Sequence, residues 1–159
     1  MNDFPSLTRP PSVEAIIELR SRLSEPATEE KCKAIAVRLA EQFPLNQELR
    51  FVTAQIRIGE GPEKALEPET SSSLLGVRLE SRDRKVVIQA KADGLAVSRL
   101  VPYLGWSDLH ATLRYVWPVY KEIFLPETVT RLGVRFLNRI DIGNAPVDLD
   151  DLFTAGPKV

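Results

Sequence analysis

Along SVEAIIELRSRL (Ser12–Leu23), Val13, Ala15, Ile17 and Leu19 alternate with Glu14, Glu18, Arg20 and Arg22, and only Ile16 breaks the period. A period of two predicts a strand with one buried face. The pattern then changes. In TEEKCKAIAVRLAEQFP, residues Cys32, Ile35, Ala36, Leu39, Ala40 and Phe43 recur at helical spacing. Thr28 suits the N-cap, Glu29 and Glu30 suit the positive end of the dipole, and Pro44 ends the helix. Leu49 to Ile58 predicts a second strand. GEGPEKALEPETSSS (59–73) is acidic, carries two prolines and three serines and keeps no period, which predicts a mobile acidic loop. LLGVRLES and KVVIQAKA, joined around Arg82-Asp83-Arg84, predict a hairpin, and Asp93-Gly94 turns the chain into LAVSRLV.

A second helix is predicted from Trp106 to about Phe124, with Leu109, Leu113, Val116, Tyr120 and Ile123 or Phe124 on its apolar side. Pro118 lies inside it and predicts a kink or break near Trp117, because proline removes a donor and crowds the carbonyl four residues back. VTRLGVRFLNRIDI then alternates again: Leu132, Val134, Phe136, Ile140 and Ile142 on one face, Arg131, Arg135, Arg139 and Asp141 on the other. The predicted order is β-α-β-β-β-β-α-β. Alternating strands leave one face polar, so the expected fold is α+β, a mainly antiparallel sheet with two helices on one face.

Residues 1–142 are expected to form this single domain. Residues 143–159, which contain VDLDDLF, loosely repeat the strand-then-helix opening and read as a short tail that starts an incomplete second repeat. Such a unit used twice is the arrangement of TATA-binding-protein-like folds, an analogy of fold that carries no function.

Composition narrows the chemistry. The 159 residues include one Cys, one His and one Met. Cys32 and His110 cannot by themselves build a zinc cage, no disulfide can form within the chain, and any His-dependent triad would have to use His110. No nucleotide-binding, metalloprotease or serine-hydrolase motif is present. No cofactor and no metal are expected, and enzyme activity is not favoured. The N-terminus MNDFPSLTRPPS has no basic stretch followed by an apolar one, and no uncharged apolar run approaches the roughly 18 residues that cross a bilayer. The expectation is a cytoplasmic protein without a membrane role.

The formal net charge is −1, yet it is unevenly spread: −3 over Met1–Leu75, +4 over Gly76–Ile142 and −2 over Gly143–Val159. Near-neutrality argues against nucleic acid as a partner. Any anion-seeking surface must come from the middle stretch, where arginine dominates and a planar guanidinium suits carboxylates.

Three places there are candidates. Arg131, Arg135 and Arg139 form a ladder on one strand face, to which Arg57, Arg78, Lys91 or Arg99 could add, against the simpler reading of a solvated face with Arg/Glu pairs to Glu14, Glu18 or Glu80. The turn RLVPYLGWSD puts Tyr103 and Trp106 beside a helix start, where they could line a pocket, anchor a partner or seal the core. Asn138 falls on the apolar side of its strand, where its amide needs partners or a bulge that turns it outward.

P-x-V-E-A-I-I-E-L at the front, D-G-L-A-V-S-R-L-V-P-Y-L-G-W in the middle and R-L-G-V-R-F-L-N-R-I at the end resemble a sporadically distributed family of uncharacterised bacterial proteins. The similarity covers roughly Pro11 to Asp141. It implies no activity, but it marks Arg99, Tyr103, Trp106, Arg131, Arg135, Asn138 and Arg139 as signature positions. Because members of that family run on into a substantial second half, the resemblance also implies that this chain is a truncated form, its N-terminal half.

The functional expectation is a non-catalytic binding module that meets an acidic protein partner through the Arg-rich sheet face and the Tyr103/Trp106 turn. The alternative is a small-anion-binding or hydrolytic domain in which Arg99, Tyr103 and Asn138 face a cavity between sheet and second helix. A homodimer formed through the final strand is compatible with either.

Overall fold

The computed structural model describes residues 10–56, 68–141 and 143. The elements follow in the order β1 (Ser12–Leu23), α1 (Glu29–Arg38), β2 (Leu45–Ile56), β3 (Pro68–Glu80), β4 (Val86–Lys91), β5 (Gly94–Leu100), α2 (Trp106–Phe124) and β6 (Pro126–Asn138). All six strands join one antiparallel sheet in the spatial order β2-β3-β4-β5-β1-β6, and both helices pack on one face of it. The fold is α+β, as the pattern predicted. Among the described residues no helix is long and apolar enough to cross a membrane.

The local signals explain the elements. Thr28 caps α1 by accepting from the Lys31 N–H at 3.3 Å, and Cys32, Ile35, Leu39 and Phe43 all turn into the core. The β3–β4 turn is held by short polar side chains: the Ser81 hydroxyl donates to Asp83 at 2.6 Å, and the Lys85 N–H donates to the same carboxylate at 3.1 Å. These bonds, the Ser81 hydroxyl first, hold the Asp83 carboxyl below its usual range. Gly94 opens β5 where β1 passes so close that a β-carbon would run into the Leu19 carbonyl.

Three expectations change. β3 begins at Pro68, so Pro68–Ser73 is strand where a loop is predicted; it pairs with Ser72 opposite Val52 and Thr70 opposite Ala54. The exposed Ser71, Ser72 and Ser73 satisfy their backbone in an antiparallel ladder without any apolar period. The rest of that predicted loop, 59–67, lies outside the described residues, as do 1–9, Arg57 and the 144–159 segment.

α2 continues through Pro118 without interruption. Pro118 and Arg114 are both on the exposed side, so the carbonyl that loses its donor faces water.

The third change concerns β6. Its alternation predicts one apolar and one polar face, but the strand lies at the sheet edge and nearly every residue of it, on both faces, is exposed.

The core sits between the sheet and the helices. It is built from Ala15 and Ile17 of β1, Val77 and Leu79 of β3, Ile88 and Ala90 of β4, Leu95 and Val97 of β5, and Leu109, Val116, Tyr120 and Phe124 of α2. α1 lies over β3 and against α2, and α2 makes its sheet contacts on β5 and β1. That arrangement leaves β6 without a helix above it among the described residues.

Candidate functional site

The register fixes which face each candidate occupies. Arg99, Ala15 and Phe136 form one row across β5, β1 and β6; Val97, Ile17 and Val134 form the next; Leu95, Leu19 and Leu132 the third. Ala15, Ile17, Leu95 and Val97 are core, so these rows define the helix-bearing face. The alternate rows, Ser98–Ile16–Arg135 and Gly94–Arg20–Arg131, belong to the opposite face, open in that neither helix packs on it, although Ser98 and Ile16 are themselves buried there.

Arg99 therefore does not extend the arginine ladder. Its side chain is 12% exposed on the helix face, with Nε 3.6 Å from Asp108 Oδ2 in the first turn of α2. Both atoms are buried without a hydrogen bond of their own, which makes the contact an electrostatic tie between β5 and α2.

Arg131 and Arg135 do share the open face. Arg131 sits opposite Arg20, whose guanidinium pairs with Glu18 on its own strand at 3.4 Å. Among the described residues neither Arg131 nor Arg135 has a carboxylate within ion-pair distance, whereas Arg139 pairs with Asp141 at 3.1 Å beyond the strand end. Of the other cations read as possible additions, Arg78 pairs with Glu80 at 2.7 Å and Lys91 with Asp93 at 3.4 Å.

Asn138 resolves simply. A register shift beside it leaves it exposed, and its side-chain oxygen accepts from the Ser12 hydroxyl at 2.8 Å.

The feature the residues build together is a trough between α2 and β6. Its volume is about 410 Å³, and it is lined by Ile17, Leu19, Trp106, His110, Leu113, Arg114, Trp117, Val129, Leu132 and Val134. α2 forms one wall because Trp106, His110, Leu113 and Trp117 recur along one side of the helix, adjacent to its buried stripe. Trp106 is 49% exposed and stacks on His110 with ring centroids 5.6 Å apart, so it does not seal the core.

β6 forms the floor. A bulge where the register jumps from Arg20–Arg131 to Ser21–Val129 lets Val129 join Leu132 and Val134 on the helix side. Leu132 is 64% exposed there. At one end Tyr103 packs edge-on against Phe136 at 5.6 Å, and burial beside Asp108 pushes the Tyr103 hydroxyl above its usual range.

The structure thus brings Tyr103 and Trp106 to the trough or its rim. It spends Arg99 and Asn138 on tertiary ties and puts Arg131 and Arg135 on the opposite face. A second concavity of about 450 Å³, lined by Pro44, Leu45, Asn46, Gln47, Arg78, Glu80 and Arg84, is polar, and Glu80 pairs with Arg78 at 2.7 Å and reaches Arg84 at 4.0 Å. Among the described residues no group of three or more His, Cys, Asp or Glu lies close enough to hold a metal ion.

Leu113, Arg114, Trp117, Val129, Leu132 and Val134 were not singled out as site residues in the sequence, and His110 only as the one histidine a triad could use. The available signal was the width of the apolar sector on α2, since Trp106-His110-Leu113-Trp117 is a second stripe that core packing alone does not require. No protein-family model, curated protein or solved structure matches the chain.

Proposed function

We propose that this domain is a non-catalytic protein-docking module that seats its partner along β6, in the trough between that strand and α2. The observation that carries the reading is the exposure of Leu132, Val134 and Trp106 in one lined concavity, next to a sheet edge that is unpaired among the described residues. With Val129 and Phe136, these side chains leave large apolar groups exposed side by side on one face, as at surfaces that bind other proteins. Among the described residues the trough lining is mainly apolar, with Arg114 and His110 as its polar members, which favours a protein over a small charged ligand. The free Cys32 thiol, buried in the core, suits the reducing cytoplasm to which we assign the protein.

Affinity capture from a native lysate tests the reading. Wild type is expected to retain a discrete set of partners that Leu132→Asp/Val134→Asp loses, while both proteins melt at similar temperatures because the two residues are already exposed. Identical partner sets, or no partner on wild type, would overturn it. A second reading is favoured by Arg131 and Arg135, which have no carboxylate partner among the described residues: the partner meets the basic face of the same strand that carries no helix.

A further inference from the structure

We infer that the trough receives an acidic amphipathic helix about three turns long, laid beside α2 and over β6; the inference rests on the docking reading above and names the partner. Shape is the first ground. Strands stand about 4.8 Å apart, and a helix with its side chains is roughly 10 Å across, so one helix covers about two strands. α2 already occupies β5 and β1. The next helix-sized berth on that face is over β6, where the trough lies. Its α2 wall runs from Trp106 to Trp117, a rise of about 17 Å, or three turns. A strand added to the β6 edge would lie in the plane of the sheet and leave the trough open, and so would a second copy pairing β6 with β6.

Charge is the second ground. Among the described residues, none that lines the trough is acidic. Its polar members are His110 and Arg114, and Lys121 extends the same wall, with Nζ 5.9 Å above the Trp117 ring. The carboxylates nearby on α2 are engaged elsewhere: Asp108 faces Arg99, and Glu122 pairs with Arg38 at 3.1 Å. A helix with leucine-like residues at i, i+3, i+4 and i+7 fits the apolar floor, and Asp or Glu beside that stripe would face Arg114 and Lys121. A basic helix would meet like charge at Arg114 and Lys121.

The chain carries two tryptophans, Trp106 and Trp117, and both line the trough, so intrinsic emission reports directly on its occupancy. The test titrates the full chain with three synthetic 14-residue peptides: an alanine-based helix with that leucine stripe flanked by glutamates, the same peptide with lysines for glutamates, and the acidic peptide interrupted by a central proline. The acidic helix is expected to give a saturable blue shift in tryptophan emission. The lysine and proline peptides should bind at least tenfold more weakly. Leu132→Asp should weaken the acidic helix tenfold or more, and Arg114→Glu/Lys121→Glu should invert the preference toward the lysine peptide while circular dichroism stays unchanged.

No saturable response to the acidic helix, equal binding of the lysine peptide, or undiminished binding of the proline peptide would each overturn the inference. So would light scattering that shows a self-association which Leu132→Asp abolishes, since a second copy would then fill the site. If lysate capture still shows partners lost on Leu132→Asp/Val134→Asp while the acidic helix is silent, the helix inference fails and the docking reading stands. If both fail, the reading fails with it.

Discussion

The Tyr120 hydroxyl lies 3.2 Å from Ser21 Oγ and donates to the Lys91 carbonyl at 2.9 Å, so one buried phenol joins α2 to β1 and to the end of β4. Ser21 is the β1 residue at which pairing with β6 shifts register, and the displaced Thr130 hydroxyl donates to the Arg20 carbonyl at 3.3 Å. The tie therefore lies directly beside the bulge that turns Val129 toward the trough. Burial pushes the Tyr120 hydroxyl above its ordinary pKa, with the Ser21 hydrogen bond opposing, and it stays protonated as a donor across the physiological range.

Tyr120→Phe removes that donor while keeping the ring stacked on Phe124 at 4.7 Å. It is expected to cost about 1–2 kcal/mol, because the Lys91 carbonyl loses its hydroxyl partner. Ser21→Ala should cost less, and in urea unfolding the double variant should fall short of the sum of the two. Full additivity would show that the two hydroxyls do not act as one tie.

Arg99 and Asp108 are expected to matter for stability rather than for binding. Arg99→Met keeps most of the buried stem and leaves Asp108 without its cation, at a cost of about 2 kcal/mol once the partial exposure of Asp108 is discounted. Thermal unfolding measures the loss. Partner capture by the folded variant should be unchanged; selective loss of the partner with an unaltered melting temperature would return Arg99 to the binding surface.

Cys32 is held as a thiol in the core. Burial raises its pKa, and the charges of Glu48 and Glu29 add to the effect. The native protein at pH 8 is expected to react with an aromatic disulfide reagent only after addition of urea. Because the folded pKa lies above the unfolded one, the stabilisation from this group is complete below about pH 9 and is lost as pH rises through the folded value. Wild type should therefore lose more stability between pH 8 and pH 10.5 than Cys32→Val does. Rapid native reaction at pH 8 would contradict the burial argument.

Much of the fold was legible because its signals are local. The alternation of Val13 to Leu19, the Thr28 cap and the Asp93-Gly94 turn each act within a few residues, and each falls where the pattern put it. The neighbours of β6 are not local: Ile17 pairs with Val134 across more than a hundred residues. Alternation assigned Leu132, Val134 and Phe136 to one face and could not say whether anything covers that face. The same gap governed the site. Arg99 looked like part of a basic surface until the pairing of Arg99 with Ala15 set it on the helix side, and Asn138 looked like a buried amide until the register shift brought Ser12 to it. For Pro118 the deciding fact was solvent exposure of the helix back, which sequence period alone does not price against a missing hydrogen bond.

The central claim is that partners meet the helix side of β6, and photo-crosslinking from adjacent positions tests it most directly. Leu132 and Arg131 are consecutive and point to opposite faces of the strand. A benzophenone amino acid placed at Leu132 or Val134 is expected to give a discrete crosslinked product in cells, and the same group at Arg131 or Arg135 is expected to give none. Products from Arg131 and Arg135 alone would assign the partner to the open basic face, and the absence of products from all four positions would contradict the account altogether.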